Sequence, residues 1–363
     1  MKKILILIGT RPNFIKVTQF KRVVSKFKNL DCKIVHTGQH YDRNMADIFF
    51  EQFDLSPDYF LNISPASPAT QMGEIMINLE KLIQEDYYPD ILIVPGDVNS
   101  TLAGALVANK MNIPLAHLES GLRSNDRSMP EEINRILTDE ITDYFFVTEQ
   151  SGIDNLEREK RKGEIIFVGN TMIDTLVGFS SQIDDSTIVE DENLEVKKYI
   201  LMTIHRPGNV DTLEGLTKIL SLIKSLEDRY KVVFPIHPRT AKNIEVKGLK
   251  PQFDALSNLV ISGPIGYFEF QNLIKNSKFV LTDSGGIQEE TTFRQIPCLT
   301  LRPNTERPIT CDIGTNTLVP FDLEIIQKYI DQIEKGDYKI GRIPSFWDGN
   351  ATERIVDFVA KLN

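Results

Sequence analysis

Residues 278–290, KFVLTDSGGIQEE, contain the junction from which the fold class is predicted. The apolar start predicts a buried strand, Ser284, Gly285 and Gly286 predict a tight turn, and the remainder predicts the first turns of a helix. Glycines let a ligand approach backbone N–H groups closely, and a helix N-terminus favours negative charge, so phosphate is the expected ligand. Glu290, one turn further on, suits the hydroxyls of a ribose. The junction therefore predicts a nucleotide site.

Similar apolar runs recur along the chain, and amphipathic stretches separate them. Strands that are apolar throughout and alternate with helices are typical of a parallel sheet covered on both faces. The runs are KILILIG, CKIVHTG, DILIVPGD, IPLAHLES and YFFVTEQ in the first half, and YILMTIHRP, YKVVFPIHP, NLVISGP, KFVLTDSGG and IPCLTLRP in the second. The pattern predicts the α/β class with two doubly wound domains.

The length of 363 residues exceeds what one hydrophobic core usually supports, which also favours two domains. We predict a first doubly wound domain over 1–169, a second over 170–349, and a helix over 350–363. By analogy with other two-domain sheets, that last helix is expected to pack back on the first domain. The polar segment SSQIDDSTIVEDENLE, just before the second series of strands, is interpreted as a surface connection.

Charge and cysteine content restrict the function classes. With 41 Lys and Arg against 51 Asp and Glu, the net charge of −10 argues against general binding to nucleic acid or anionic membranes. Cys32, Cys298 and Cys311 lack metal-ligand spacing, which favours a reducing compartment and no zinc site. The apolar run ILILI is too short for a signal peptide, and no run reaches the roughly 18 residues of a membrane span. A cytoplasmic protein without a bound metal is expected.

Ligands of open parallel sheets lie beyond the carboxyl ends of the strands, so the residues directly after each apolar run are informative. In GTRPNFIK, Thr10 is predicted to cap a helix that has Pro12 at its first position. Arg11 and Lys16 are suited to phosphate or to acidic sugar groups. The alternative is a capped helix whose basic side chains are simply solvated.

Carboxylates follow two of the apolar runs and open a later helix. Asp97 and Glu119 each follow a run, and Glu131 with Glu132 begins the helical stretch EEINRILTDEI. Taken singly, Asp97 would cap a helix, Glu119 would pair with Arg123, and the helix carboxylates would complement the helix dipole. Taken together, strand ends at one edge of a sheet gather these groups, and like charges raise one another's pKa. Groups for proton transfer are prepared in this way.

The second half of the chain offers hydrogen-bond donors at corresponding positions. His205 with Arg206 ends one run, His237 with Arg239 ends the next, and Arg307 lies in the later stretch LRPNTERP. Beside the Ser-Gly-Gly turn, these side chains predict a surface that binds a diphosphate. The chain contains no Walker A loop, dinucleotide fingerprint or nucleophile elbow, which argues against NTP hydrolysis, dinucleotide redox chemistry and common hydrolases.

Taken in order, the motifs resemble the non-hydrolysing UDP-N-acetylglucosamine 2-epimerase family. They are GTRP with a following lysine, TGQH, GD before TLAGALVA, HLESGLRS with MPEEINR, VGNTMID, IHRPGN, LTDSGGIQEE and NTERP, and they span almost the whole chain. The resemblance implies a glycosyltransferase-B-like fold with the active site in a cleft between two Rossmann-like domains. It implies a homodimer that interconverts UDP-GlcNAc and UDP-ManNAc at C2 without a cofactor, supplying precursors of cell-surface polysaccharides.

The family's reaction explains the carboxylates. The C2 proton is too weak an acid for direct removal, so the resemblance implies that the C1–O bond breaks as this proton leaves, giving UDP and an acetamidoglucal. Re-addition with a proton delivered to the other face completes the inversion, so both faces need acid or base groups. The resemblance assigns catalysis to Asp97, Glu119, Glu131 and His205. It assigns UDP binding to Arg11, Lys16, Phe270, Ser284, Gly285, Gly286, Glu290 and Arg307, with Phe270 near the uracil.

One stretch departs from the pattern of several bacterial members. Those members have Gln-His-Arg where a second UDP-GlcNAc acts as an allosteric activator, whereas this chain has Gln39, His40, Tyr41 and Asp42. Without that arginine, we expect the rate from UDP-ManNAc alone to be linear from the outset.

Two other functions stay open. The segment RSNDRSMPEE is shorter than in those bacterial members and is similar to archaeal-type epimerases and to relatives that act on UDP-2,3-diacetamido-2,3-dideoxyglucuronate. A C2 epimerase of that sugar is therefore the first alternative. A UDP-sugar glycosyltransferase is the second, although it needs an acceptor site, and the acidic charge and clustered carboxylates argue against one.

Overall fold

The computed structural model describes residues 1–38 and 50–362. The chain forms two compact units, one of Met1–Gly178 with Ser345–Asn363 and one of Phe179–Pro344. Residues 170–178, which the sequence division assigned to the second domain, belong to the first unit, as do residues 345–349. Both units are of the predicted α/β class. Within the described ranges, no helix is long and apolar enough to cross a membrane.

A parallel sheet, with seven strands among the described residues, forms the centre of the first unit. Its order is β3-β2-β1-β4-β5-β6-β7, and Ile4 of β1 lies opposite Cys32 on one side and Ile91 on the other. The strand order reverses between β1 and β4, and doubly wound sheets bind ligands at such a reversal. The strands are β1 Lys2–Ile8, β2 Leu30–His36, β3 Tyr59–Phe60, β4 Ile91–Pro95, β5 Leu115–Leu118, β6 Tyr144–Val147 and β7 Glu164–Phe167.

Helices cover this sheet. The stretch FIKVTQFKRVVSKF, predicted as one amphipathic segment, contains two short helices, and a long helix follows at Pro68–Glu85, where the sequence had not been assigned one. Ser67 caps that long helix by accepting from the N–H of Thr70 at 3.4 Å, and Ile75, Leu79 and Leu82 are buried on one of its faces. The helices are α1 Arg11–Ile15, α2 Phe20–Val24, α3 Pro68–Glu85, α4 Asn99–Met111, α5 Pro130–Glu140, α6 Gln150–Arg158 and α7 Thr171–Gly178.

The second unit repeats this architecture with a parallel sheet ordered β10-β9-β8-β11-β12-β13. Its order reverses between β8 and β11, so both units have the doubly wound arrangement that the sequence predicted. The strands are β8 Tyr199–Thr203, β9 Lys231–Pro235, β10 Leu259–Ser262, β11 Val280–Thr282, β12 Cys298–Thr300 and β13 Asn316–Leu318. The helices are α8 Ser180–Asp184, α9 Ile188–Asp191, α10 Pro207–Val210, α11 Leu213–Leu226, α12 Pro238–Val246, α13 Lys250–Asp254, α14 Tyr267–Asn276, α15 Gly285–Arg294, α16 Pro308–Asp312 and α17 Leu323–Lys335.

The acidic segment SSQIDDSTIVEDENLE is not a mere surface connection. It forms α8 and α9, and Ile183 is fully buried. The carbonyl of Ile183 accepts a hydrogen bond from Nδ2 of Asn272 on α14 at 2.8 Å. The segment is therefore packed into the second unit, because an apolar side chain among its polar residues is buried there.

The last helix, α18 Ala351–Lys361, belongs to the first unit and packs on α2 and α7. Its apolar face buries Ile355 and Val359, and its start is capped by a residue far away in the chain. The carboxylate of Asp174 on α7 accepts from the N–H of Ala351 at 3.1 Å and from that of Thr352 at 2.5 Å. This buried carboxylate satisfies N–H groups that a helix leaves without internal partners.

We expect Asp174→Ala to lower the free energy of unfolding by about 1–3 kcal/mol, because two buried N–H groups lose their acceptor. The measurement is urea denaturation followed by circular dichroism. Asp357→Ala changes an exposed carboxylate on the same helix and should leave stability unchanged. Equal effects of the two substitutions would show that the cap contributes nothing.

Candidate active site

The carboxyl ends of β1 and β4 are neighbours at the reversal of the first sheet. Arg11 is exposed and begins α1 directly after β1. Thr10 occupies the N-cap position, as predicted, but its side chain makes no capping hydrogen bond. Pro12 is the second helical residue rather than the first. The strand end therefore presents Arg11 at the edge where a doubly wound sheet binds its ligand.

Lys16 and Glu119 form a buried ion pair. Nζ of Lys16 lies 2.5 Å from Oε2 of Glu119, and both side chains are more than nine-tenths buried. The same ammonium lies beside Gly96, where a Cβ atom would be 3.1 Å from Nζ. The interpretation that pairs Glu119 with Arg123 is wrong, since Arg123 pairs with other carboxylates. Lys16 thus ties the end of α1 to the residue after β5 and lies beside the turn after β4.

Glu119 has an unusual backbone conformation. Its φ of +71° lies in the left-handed region, which is uncommon for residues other than glycine. The N–H groups of Glu119 and Ser120 both donate to the carbonyl of Phe146, at 3.0 and 3.3 Å. Gly121 follows with φ +78°, and a Cβ atom there would lie 2.4 Å from the carbonyl oxygen of Gly152. Strained backbone persists where the surroundings enforce it and clusters at functional sites, which supports a functional role for Glu119.

Asp97 follows β4 and is paired with Arg135 of α5. The N-cap of the next helix is Val98, so the interpretation of Asp97 as a helix cap is wrong. Nη2 of Arg135 contacts Oδ2 of Asp97, and Nη1 lies 3.0 Å from Oε2 of Glu132. Asn134 donates from Nδ2 to the carbonyl of Asp97 at 2.9 Å. Helix α5 is thereby fixed against the end of β4, with a cation between the carboxylates.

The adjacent carboxylates Glu131 and Glu132 have different environments. Glu132 is buried and accepts from the N–H of Ser124 at 2.8 Å and of Asn125 at 3.0 Å, so it holds the segment before α5. Glu131 is half-buried, and with the described residues it forms no ion pair. Of the two, Glu131 is the carboxylate that remains for a ligand.

His117 is a buried site residue that the sequence interpretation missed. Its Nδ1 lies 2.7 Å from Oδ1 of Asp139, and its Nε2 lies 2.7 Å from the carbonyl oxygen of Gly96. Burial opposes ionisation of Asp139, but His117 and Arg123 outweigh it and hold its pKa below the ordinary value. Because a carbonyl only accepts, Nε2 donates and ties β5 to the turn after β4. The one sequence signal was a histidine two residues before Glu119.

At the reversal of the second sheet, Asp283 follows β11 and contacts the residues that follow β8. Its carboxylate is fully buried and lies 3.0 Å from Nδ1 of His205. It also accepts from the N–H of Arg206 and from Nδ2 of Asn209, both at 2.9 Å. Burial opposes ionisation, but the hydrogen bonds and charge of these neighbours outweigh it, so the pKa of Asp283 lies below the ordinary value.

The predicted Ser-Gly-Gly turn opens α15. Ser284 is the N-cap, and its side chain makes no capping hydrogen bond. A Cβ atom on Gly285 would lie 2.6 Å from Oε1 of Glu306 and 3.0 Å from Nη1 of Arg307. A side chain here would meet the ion-paired ends of Glu306 and Arg307, and glycine avoids this contact at a helix N-terminus, where backbone N–H groups suit an anion.

Arg307 is buried in a network of alternating charge. Its Nε lies 2.6 Å from Oε2 of Glu289, and its Nη1 lies 2.5 Å from Oε1 of Glu306. Arg302 completes the network, with Nη2 2.9 Å from Oε2 of Glu306. Two guanidinium groups and two carboxylates therefore balance one another directly behind the Ser-Gly-Gly turn.

Glu290 lies one turn into α15 and is buried against α14. Burial raises its pKa to about 7, although the hydrogen bond from Gln271 and the charge of Arg294 oppose the shift, while Glu289 adds to it. Phe270, next to Gln271 on α14, is half-buried. Helix α15 thus carries a buried carboxyl group whose pKa lies near neutral pH.

Residues 39–42, on which the expected lack of substrate activation depends, lie outside the described residues. Across residues 1–38 and 50–362, no group of three His, Cys, Asp or Glu side chains is placed to hold a metal ion.

Comparisons with known proteins agree with the family that the ordered motifs predict. A family model described as UDP-N-acetylglucosamine 2-epimerase matches residues 22–360. The UDP-N-acetylglucosamine 2-epimerase of Methanocaldococcus jannaschii is 40% identical over 369 residues, which cover 98% of each chain. A UDP-2,3-diacetamido-2,3-dideoxy-D-glucuronate 2-epimerase of Pseudomonas aeruginosa is 38% identical, and the alignment covers 99% of this chain and 100% of that one.

The crystal structure of the M. jannaschii UDP-GlcNAc 2-epimerase with UDP-GlcNAc and UDP, 40% identical, has a TM-score of 0.89 over 99% of both chains. The chain belongs to the UDP-N-acetylglucosamine 2-epimerase family.

Proposed function

We propose that the protein inverts C2 of UDP-GlcNAc and so interconverts UDP-GlcNAc and UDP-ManNAc. The observation that carries the proposal is the similarity to the M. jannaschii epimerase, since 40% identity over 98% of both chains includes both units. The reaction is an isomerisation without net change of oxidation state, so it requires no external oxidant or reductant.

The first unit supplies the acid and base groups in this proposal. Removal of the C2 proton accompanies cleavage of the C1–O bond, which releases UDP and leaves a double bond between C1 and C2. Addition of UDP oxygen to C1, with protonation of C2 from the opposite face, returns the inverted sugar. Asp97, Glu119 and Glu131 are the carboxylates proposed for these transfers. Ion pairs orient two of them, Glu119 with Lys16 and Asp97 with Arg135.

The second unit binds UDP in this proposal. The N–H groups of the Ser-Gly-Gly turn and the start of α15 take the diphosphate. Glu290 takes the ribose hydroxyls, and Phe270 lies against the uracil. His205 and Arg307 add positive charge or donors to the phosphates. Arg11 and Lys16 of the first unit stay predicted ligands, and Lys16 already has Glu119 as its intramolecular partner.

A second substrate is favoured by a specific observation, the 38% identity to the P. aeruginosa 2-epimerase over 100% of that chain. The UDP-2,3-diacetamido-2,3-dideoxyglucuronate named for that enzyme differs from UDP-GlcNAc at C3 and C6 but presents the same C2 chemistry. Parallel assays with the two UDP-sugars therefore decide between them.

The resemblance also supports a proposed setting for the reaction. We extend the proposal to a homodimer in the cytoplasm that supplies precursors for cell-surface polysaccharides. Sedimentation velocity at micromolar concentration tests the dimer.

We expect Glu119→Gln to slow C2 exchange by about 10²- to 10⁴-fold, because the amide keeps the shape of the side chain but cannot accept the proton. The measurement is deuterium incorporation at C2 of UDP-GlcNAc in deuterated buffer with EDTA. UDP affinity, titrated by calorimetry, should change little. Glu157→Gln alters an exposed carboxylate of the same unit and should keep the parent rate.

Three outcomes count against parts of this proposal. Exchange with the diacetamidoglucuronate sugar alone would make the second substrate the right one. No exchange with either sugar would overturn the epimerase assignment. Loss of UDP affinity with unchanged exchange in Glu119→Gln would make Glu119 a nucleotide-binding or structural residue.

Glu290 should make nucleotide binding depend on pH. With its pKa at about 7, the carboxyl group offers two charged acceptor oxygens to the ribose hydroxyls only after it loses its proton, so binding competes with the proton. Between pH 8 and pH 6, the affinity of the Glu119→Gln variant for UDP-GlcNAc should fall about tenfold relative to a Glu119→Gln/Glu290→Gln variant. UDP-GlcNAc suits the titration because its diphosphate does not titrate in this range. If the affinities of the two variants for UDP-GlcNAc change equally with pH, Glu290 does not bind the ribose.

Gly285→Ala should disturb both stability and the phosphate site. The added methyl group meets the ends of Glu306 and Arg307, whose ion pairs prevent them from moving aside, so we expect a loss of about 1–3 kcal/mol in unfolding free energy. UDP affinity should fall about tenfold or more, because a hydrogen bond to a charged group is lost. Gly263→Ala is the control, as its Cβ meets no atom within 4 Å. UDP affinity equal to the parent's would show that phosphate does not contact this turn.

A further inference from the structure

The carboxylate of Asp283 joins the two strand ends that meet at the reversal of the second sheet. It comes directly before the Ser-Gly-Gly turn, and it receives hydrogen bonds from the segment after β8. Arg206 returns a further bond, from Nε to the carbonyl of Asp283 at 2.9 Å. Since Asp283 is fully buried and its pKa lies below the ordinary value, it is ionised at neutral pH and can only accept hydrogen bonds.

This constraint fixes the proton of His205. Nδ1 of His205 lies 3.0 Å from Oδ1 of Asp283, so Nδ1 must carry a hydrogen. The side chain is 41% exposed, and its Nε2 makes no hydrogen bond with any described residue. Nε2 is therefore the nitrogen that a ligand can reach.

The neighbouring histidine has the opposite arrangement. The rings of His205 and His237 are 5.7 Å apart, and both residues follow strands of the same sheet. Nδ1 of His237, however, accepts from the N–H of Arg239 at 3.2 Å, which leaves the hydrogen on Nε2. Both histidines follow strands, so position at a strand end does not determine the tautomer. What differs is the partner of Nδ1, which is the Asp283 carboxylate for His205 and the Arg239 N–H for His237.

We propose that Asp283 is a positioning residue that holds His205 in the Nδ1–H tautomer and so directs Nε2 to the diphosphate of the UDP-sugar. The proposal rests on the function proposed above. With Nδ1–H facing Asp283, the ring can gain a second proton only at Nε2, so that Nε2 donates to a phosphate oxygen while Asp283 stabilises the cation. Because Asp283 comes directly before the Ser-Gly-Gly turn, its contact with His205 also fixes the distance between that turn and the His205 ring.

Asp283→Asn tests this role in a double-mutant cycle with His205→Asn. The amide keeps one acceptor oxygen for Arg206 and Asn209 but presents its NH2 to the ring, which then has to accept at Nδ1. Asp283→Asn alone should slow C2 exchange by about 10²-fold or more, as a misoriented catalytic ring does. In the His205→Asn background, Asp283→Asn should slow C2 exchange by less than about a further threefold. Circular dichroism checks that each variant is folded.

Nitrogen-15 spectra of the imidazole rings report the tautomer directly and do not depend on activity. The chain has five histidines, and the signal missing from His205→Asn identifies His205. We expect Nδ1–H in the parent protein and in Asp211→Asn, a control in the same segment, and a shift toward Nε2–H in Asp283→Asn. His237 should stay Nε2–H throughout.

Each contrary result overturns the proposal. A parent protein with His205 in the Nε2–H form excludes it even if Asp283→Asn fails to fold. An unchanged His205 tautomer in Asp283→Asn excludes it as well. If Asp283→Asn slows C2 exchange equally in the parent and in the His205→Asn background, Asp283 acts through the backbone segment instead of through His205. If the parent exchanges neither sugar, the proposed function fails, while the spectra still decide whether Asp283 sets the tautomer.

Discussion

A charged side chain that is buried away from water needs an oppositely charged partner, and such buried ion pairs lie at the strand ends of both units. In the first unit, Lys16 after α1 meets Glu119 after β5. In the second unit, Arg307 lies between Glu289 of α15 and Glu306. The Lys16–Glu119 and Arg307–Glu289 contacts each join separate segments of one unit, so they also fix those segments against each other. The positions of these polar groups are therefore set before any ligand arrives, which is what electrostatic catalysis requires.

Much of the fold could be predicted because its signals are local. The apolar run of β1 needs no knowledge of β2 or β4 to be recognised as a buried strand, and alternation with helices gives the parallel doubly wound class. The two-residue β3 escaped prediction because so short a strand has no apolar run of its own, and β13 escaped because its residues Asn-Thr-Leu contain a single apolar side chain. The acidic segment before β8 was misjudged because a few apolar side chains among its polar residues, Ile183 and Leu194 above all, are buried in the second unit.

The site was predictable only to the level of residue type and strand end. Asp97 and Glu119 could be selected because each follows a buried strand. Glu131 and Glu132 look alike in the sequence, and only the backbone of residues 124–125 and the guanidinium of Arg135 distinguish them. His117 was missed for the same reason, since its partners come from the turn after β4 and from α5. Side-chain pairing between distant segments is a property of the folded chain, and no local pattern reports it.

The return of α18 to the first unit affects how the protein is made. The first unit consists of two segments, and the whole second unit lies between them in the sequence. During synthesis, the surface of α2 and α7 and the carboxylate of Asp174 stay uncovered until α18, which follows the whole second unit, has left the ribosome. A premature stop codon anywhere in the second unit therefore also removes the helix that completes the first. Truncation within the second unit therefore leaves the first unit incomplete as well.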